Sequence, residues 1–135
     1  MGSQQLLLLM VVFFVISIAI AIGFRLYNQI ADNHYRRLCI DELNYFKAKA
    51  EAYYLHSHII GGSSHGMYDW DAASIAHYIG VGHDGGSSLE SELATYEVSL
   101  DDVTVTFLAD PKEEGVDNIQ LSYNLDTKNT TITYP

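Results

Sequence analysis

From Leu6 to Phe24 the chain reads LLLLMVVFFVISIAIAIGF, nineteen residues with no charged side chain and only Ser17 and Gly23 interrupting the apolar run. At about 1.5 Å per residue, a helix of that length spans roughly 28 Å, close to the hydrocarbon thickness of a bilayer. The pattern then changes. Between Phe24 and His58 there is neither Pro nor Gly, and Tyr27, Ile30, Ala31, Leu38, Cys39, Phe46, Ala50 and Tyr53 recur at helical spacings. Charges of both signs fill the other positions: Arg25, Asp32, Arg36, Arg37, Asp41, Glu42, Lys47, Lys49 and Glu51. The spacing predicts one unbroken helix, apolar over 1–24 and amphipathic over 25–58, ended by Gly61-Gly62-Ser63-Ser64.

The remaining residues, 59–135, read as a small head. Asp69 or Asp71 is placed to cap a short helix over Ala72–Ile79, with Trp70, Ile75 and Ile79 toward the core. Gly80–Ser88 (GVGHDGGSS) reads as a surface loop. From Thr95 the period becomes two: Tyr96, Val98 and Leu100, then Val103, Val105 and Phe107, alternate with polar residues. Ile119, Leu121, Tyr123 and Leu125 make a third strand and Thr130–Tyr134 a fourth. The expected fold is therefore α+β: a long N-terminal helix packed on a head with a short helix and a four-stranded antiparallel meander.

The apolar block has to be buried in something. A signal peptide carries a basic n-region, and no Lys or Arg stands among the first five residues, so the expectation is a retained segment. A bilayer or the core of a polymer then remains.

This layout resembles the type IV pilin family and its pilin-like relatives. Their processed subunits usually begin with Phe or Met and carry glutamate at the fifth position; here Met1 matches the first, while Gln5 stands at the fifth. The resemblance implies a helix that sits in the cytoplasmic membrane before assembly and then packs against identical copies in an extracellular filament. The filament core is expected to comprise Gln5, Leu6, Leu7, Leu8, Leu9, Val12, Phe13, Phe14, Ile16, Ile20, Gly23 and Phe24. Gln5 can hydrogen-bond a neighbour's amine without carrying a charge. Gly23 and Ser17 allow close helix approach or local loosening. The alternative is a single-span membrane protein whose acidic head binds a partner without polymerising.

Charge bears on both readings. Of the net −10, residues 1–57 contribute +1 from five basic and four acidic side chains, and residues 58–135 contribute −11 from two and thirteen. An acidic head excludes nucleic acid as a ligand, because phosphate binding needs Lys and Arg. Every basic residue near the apolar block follows it, a distribution that by itself would keep the head in the cytoplasm. A pilin requires the opposite orientation.

Candidate chemistry is sparse. Cys39 is the single cysteine, so no intrachain disulfide or thiolate cluster forms; its place on the apolar face makes it a small core residue. His56, His58, His65, His77 and His83 cluster in sequence without a metal-binding motif, and the acidic loops (Asp101, Asp102, Asp110, Glu113, Glu114, Asp117) lack a calcium-loop spacing. The glycine-rich loop lacks the lysine of a phosphate cradle. No metal, cofactor or enzymatic activity is expected. Asn129-Thr130-Thr131 is an N-glycosylation sequon.

Overall fold

The computed structural model describes residues 2–83 and 85–135, the side chain of His58 excepted. In chain order the elements are α1 (Gly2–Leu55), a 3₁₀ turn (His58–Ile60), α2 (Ala72–Ile79), β1 (Ser88–Glu90), β2 (Ala94–Asp101), β3 (Thr104–Pro111), β4 (Ile119–Asn124) and β5 (Thr130–Thr133). Contacts divide the chain into two compact units, Met1–His34 and Tyr35–Pro135. The described residues of the first, Gly2 onward, are helix alone. The second holds the remaining turns of α1 and the whole head.

In the second unit α1 buries Cys39, Leu43, Phe46, Ala50 and Tyr53. The alternating spacing of four and three residues keeps this stripe on one side of the helix. It faces a five-stranded sheet in the simple order β1-β2-β3-β4-β5, every neighbouring pair antiparallel. Alternation along the strands puts Tyr96, Val98, Val105, Phe107, Ala109, Ile119, Leu121 and Tyr123 in the core with the helical stripe. Phe46 sits at the centre, its ring 4.8 Å edge-on from Tyr96 and 6.0 Å from Phe107. The opposite sheet face is polar: Ser99, Thr106, Ser122 and Thr131 lie in register across four strands, and Thr106 and Ser122 share a hydroxyl contact of 3.2 Å.

The short helix α2 forms where the sequence predicts it. Asp71 accepts from Ser74 N at 2.6 Å, and Gly80 closes the other end in a left-handed conformation, donating to Ala76 O. Its buried residues are Ile75, Ala76 and Ile79. Trp70 is only partly buried; its indole N–H donates to Asp102 O at 2.9 Å, and its ring stacks on Tyr53 at 6.2 Å.

Three expectations need correction. The sheet has five strands, not four: β1 adds an edge from residues at the end of the stretch read as loop and just beyond it. With Leu89 its only buried side chain, three residues are too few to show a period of two. Gly82 lets this strand sit close, since a Cβ there would lie 2.0 Å from Glu90 O. The helix ends at Leu55 rather than residue 58, because the chain turns back and Ser63, Ser64 and His65 donate their N–H groups to Tyr53 O, His56 O and Tyr54 O. The predicted apolar face also changes character along its length: Tyr27, Ile30 and Leu38 are exposed, while Leu43, absent from that face, is fully buried.

Candidate functional site

The first candidate is the helical segment Leu6–Phe24. Within its unit every large apolar side chain is exposed: Leu6, Leu7, Leu8, Leu9, Val12, Phe13, Phe14, Ile16, Ile20 and Phe24 all keep roughly half or more of their surface open. These positions surround the helix rather than forming one stripe. None of its most apolar eighteen-residue window is buried, and by length and composition it is able to cross a membrane. The one hydroxyl in the block is satisfied internally, since Ser17 Oγ donates to Phe13 O at 2.8 Å. That leaves no side-chain donor in the block seeking water.

Gly23 opens a notch on this surface. Ile20, Gly23, Phe24 and Tyr27 line a concavity of about 370 Å³ with almost no polar surface. A Cβ added at Gly23 would meet no atom within 4 Å. The chain's own packing therefore does not require glycine here. Gln5 is exposed on the same helix, and Met1, matched above to the family's first position, lies outside the described residues.

The second candidate is a shallow cleft of about 540 Å³ in the head, between the 61–71 loop, the start of α2 and the glycine-rich loop. Tyr53, Tyr78, Asp69, Asp71, His77 and His83 contribute to its walls. Asp69 has φ +43°, uncommon for a residue with a side chain, and its carbonyl accepts from Tyr53 Oη at 2.7 Å. The His77 and His83 rings stand 5.3 Å apart, and His83 Nε2 lies 2.9 Å from Gly86 O. His56 Nδ1 is 3.4 Å from Tyr78 Oη, and His65 packs edge-on to Tyr54. Among the described residues, no group of three His, Cys, Asp or Glu is arranged to hold a metal ion. The side chain of His58 lies outside the described residues.

A third cluster escaped the sequence reading. Glu42, one of the charges expected on the helix surface, turns its Oε2 inward to accept from Tyr96 Oη and from Ser91 Oγ at 2.8 Å. Burial, and then the carboxylate beside it, push the Tyr96 phenol well above its ordinary range. Burial, and then the same charge, raise the Cys39 thiol, which is fully buried and thus protected from reaction. One turn earlier, Tyr35 Oη donates to Leu93 O. The signal was spacing: Glu42 follows Cys39 by three residues and precedes Phe46 by four, which places it on the flank of the buried stripe. These contacts fix α1 to the β1–β2 turn and carry no catalytic geometry.

Asn129, Thr130 and Thr131 are exposed at the turn into β5. The carboxylates of the acidic loops are exposed as well, with Lys112–Glu90 at 2.7 Å and Lys128–Glu51 at 2.8 Å the ion pairs of the described residues.

No family model, curated protein or solved structure matches this chain.

Proposed function

We propose that this chain is a structural subunit of a type IV pilus-like filament. Its Leu6–Phe24 helix sits in the cytoplasmic membrane before assembly and afterwards packs on identical helices as the filament core. The acidic head then lies on the fibre surface outside the cell. The observation that carries the reading is the exposure of apolar side chains around the whole circumference of that helix. At ~25 cal/mol per Å² of apolar surface, such a helix gains heavily from any non-aqueous environment, and a bundle of copies supplies one on all sides. Ser17 bonded within the helix and Gly23 without a packing role in its own chain fit a close helix bundle.

The second reading, a single-span membrane protein that does not polymerise, has one observation in its favour. Arg25, Arg36, Arg37, Lys47 and Lys49 all follow the apolar block closely on its C-terminal side.

Cysteine cross-linking separates the two. A chain carrying V12C and I20C, with Cys39→Ala, is oxidised in intact cells. Packing on copies around the helix gives a ladder of disulfide-linked multimers. A lone anchor gives monomers and sinks the filament reading.

A further inference from the structure

We propose that Asn129 is the acceptor of an N-linked glycan, and that this glycan covers the free edge of the sheet. The triplet Asn129-Thr130-Thr131 has the acceptor spacing, in which the hydroxyl two residues on assists the carboxamide. The fold puts it where an enzyme can reach it. All three residues are exposed, Asn129 in the turn joining β4 to β5 and Thr130 and Thr131 at the start of β5.

The turn itself does not consume the acceptor. Asn124 Oδ1 does the local bonding, accepting from Asp126 N at 3.0 Å and Thr127 N at 2.9 Å. Asn129 contributes its backbone carbonyl, which accepts from Asn124 N at 3.0 Å. Among the described residues no hydrogen bond engages its carboxamide, and none engages the Thr131 hydroxyl. Thr130, the middle residue, is the one whose hydroxyl is used, accepting from Lys47 Nζ at 3.3 Å. Among the described residues the two atoms the chemistry needs have no partner.

The neighbouring strand gives the glycan a purpose. β5 is an outer strand of the sheet, all four of its residues are exposed, and no strand pairs with its far side among the described residues. Such an edge invites strand addition from another chain. Ile132 and Tyr134 add exposed apolar surface beside it. A hydrated oligosaccharide at Asn129 stands over this edge and blocks pairing sterically.

In the transfer, Asn129 Nδ2 forms a bond to C1 of the first sugar of a polyprenyl-diphosphate-linked oligosaccharide. The C1–O bond to the lipid diphosphate breaks, the diphosphate leaves with the bonding pair, and the carboxamide gives up one proton. No oxidant or metal-held intermediate is required of this chain.

The proposal rests on the exported head of the preceding reading, and two measurements separate their failures. Glycopeptide mass spectrometry is run on the full chain isolated from its own cells and on N129Q, T131A and T131S. The expected result is a sugar adduct on the peptide containing Asn129, lost in N129Q and T131A and retained in T131S. An unmodified Asn129 in the wild-type chain, or an adduct that persists in N129Q, overturns it. Protease added to intact cells supplies the second reading. An unmodified Asn129 on a cleavable head ends the glycan proposal alone, and one on a protected head ends the export reading with it.

Discussion

Tyr96 on β2 and Glu42 on α1 meet through the Tyr96 hydroxyl, which donates to Glu42 Oε2, while Ser91 Oγ reaches the same oxygen at 2.8 Å. One carboxylate thereby ties the helix to two positions on the sheet's first hairpin. Replacing Glu42 by Ala leaves the fully buried Tyr96 hydroxyl without its partner and is expected to cost about 1–3 kcal/mol. Tyr96→Phe removes donor and demand together and is expected to cost less, about 0.5–1.5 kcal/mol. A double-mutant cycle by denaturant unfolding in detergent checks this. A sum of the two single losses in the double mutant would show that the pair is not coupled.

Buried phenols and one buried thiol, in that cluster and elsewhere in the head, set the response to alkali. Cys39, Tyr35, Tyr53, Tyr96 and Tyr123 are all held above their ordinary pKa values, chiefly by burial. A raised folded-state value means that the native chain keeps protons the unfolded chain has released. The stabilisation is complete below the unfolded values of 9.0 for the thiol and 10.0 for the phenols, and declines as pH rises past them. Stability is therefore expected to fall above about pH 9 and more steeply above about pH 10, by up to ~1.4 kcal/mol per pH unit for each group still protonated. Unfolding midpoints measured from pH 7 to 11 test it, and Tyr96→Phe is expected to flatten the slope above pH 10.

At the core, Phe46 is 1% exposed and touches the rings of Tyr96 and Phe107. Phe46→Ala is expected to cost about 3–5 kcal/mol, which consumes most or all of the stability of a head near the low end of the usual ~5–15 kcal/mol. Near-ultraviolet circular dichroism would report the loss of ring packing.

Two glycines are expected to behave in opposite ways. Gly82 has φ +51° and sits against the Glu90 backbone, so Gly82→Ala both strains the chain and displaces β1. Its cost is expected to exceed the ~0.5–1 kcal/mol that a simple glycine-to-alanine exchange changes in a helix. Gly23→Ala meets nothing in its own chain and is expected to leave head unfolding unchanged. Gly23→Leu fills the notch beside Ile20 and Tyr27 and is expected to reduce fibre yield, read by sedimentation of sheared cell-surface material.

The periodic stretches were legible in the sequence because burial there follows the period. Helix α2 appears at Ala72–Ile79 with Asp71 as its cap, and the strands around Tyr96, Val105 and Leu121 fall where alternation places them, while β5 follows the turn at 126–129 and is exposed throughout. Strand β1 was missed because its partner, not its own pattern, makes it a strand: Leu89 pairs with Tyr96. The end of α1 lies three residues before the expected one, since its stop is written in contacts from Ser63 to His65 rather than in a helix-breaking residue at position 56. Glu42 was invisible as an anchor because a charge beside an apolar stripe looks the same whether it faces water or a tyrosine. The apolar block is the plainest signal of all, and nothing in its own unit covers it.

The most direct test of the central claim is electron microscopy of fibres sheared from the cell surface, with mass spectrometry of the protein they contain. Uniform thin fibres built of this chain, with the Leu6–Phe24 helices at the axis and the heads outside, are the expected result. A chain that remains wholly in the membrane fraction, with no fibre containing it, would contradict the account.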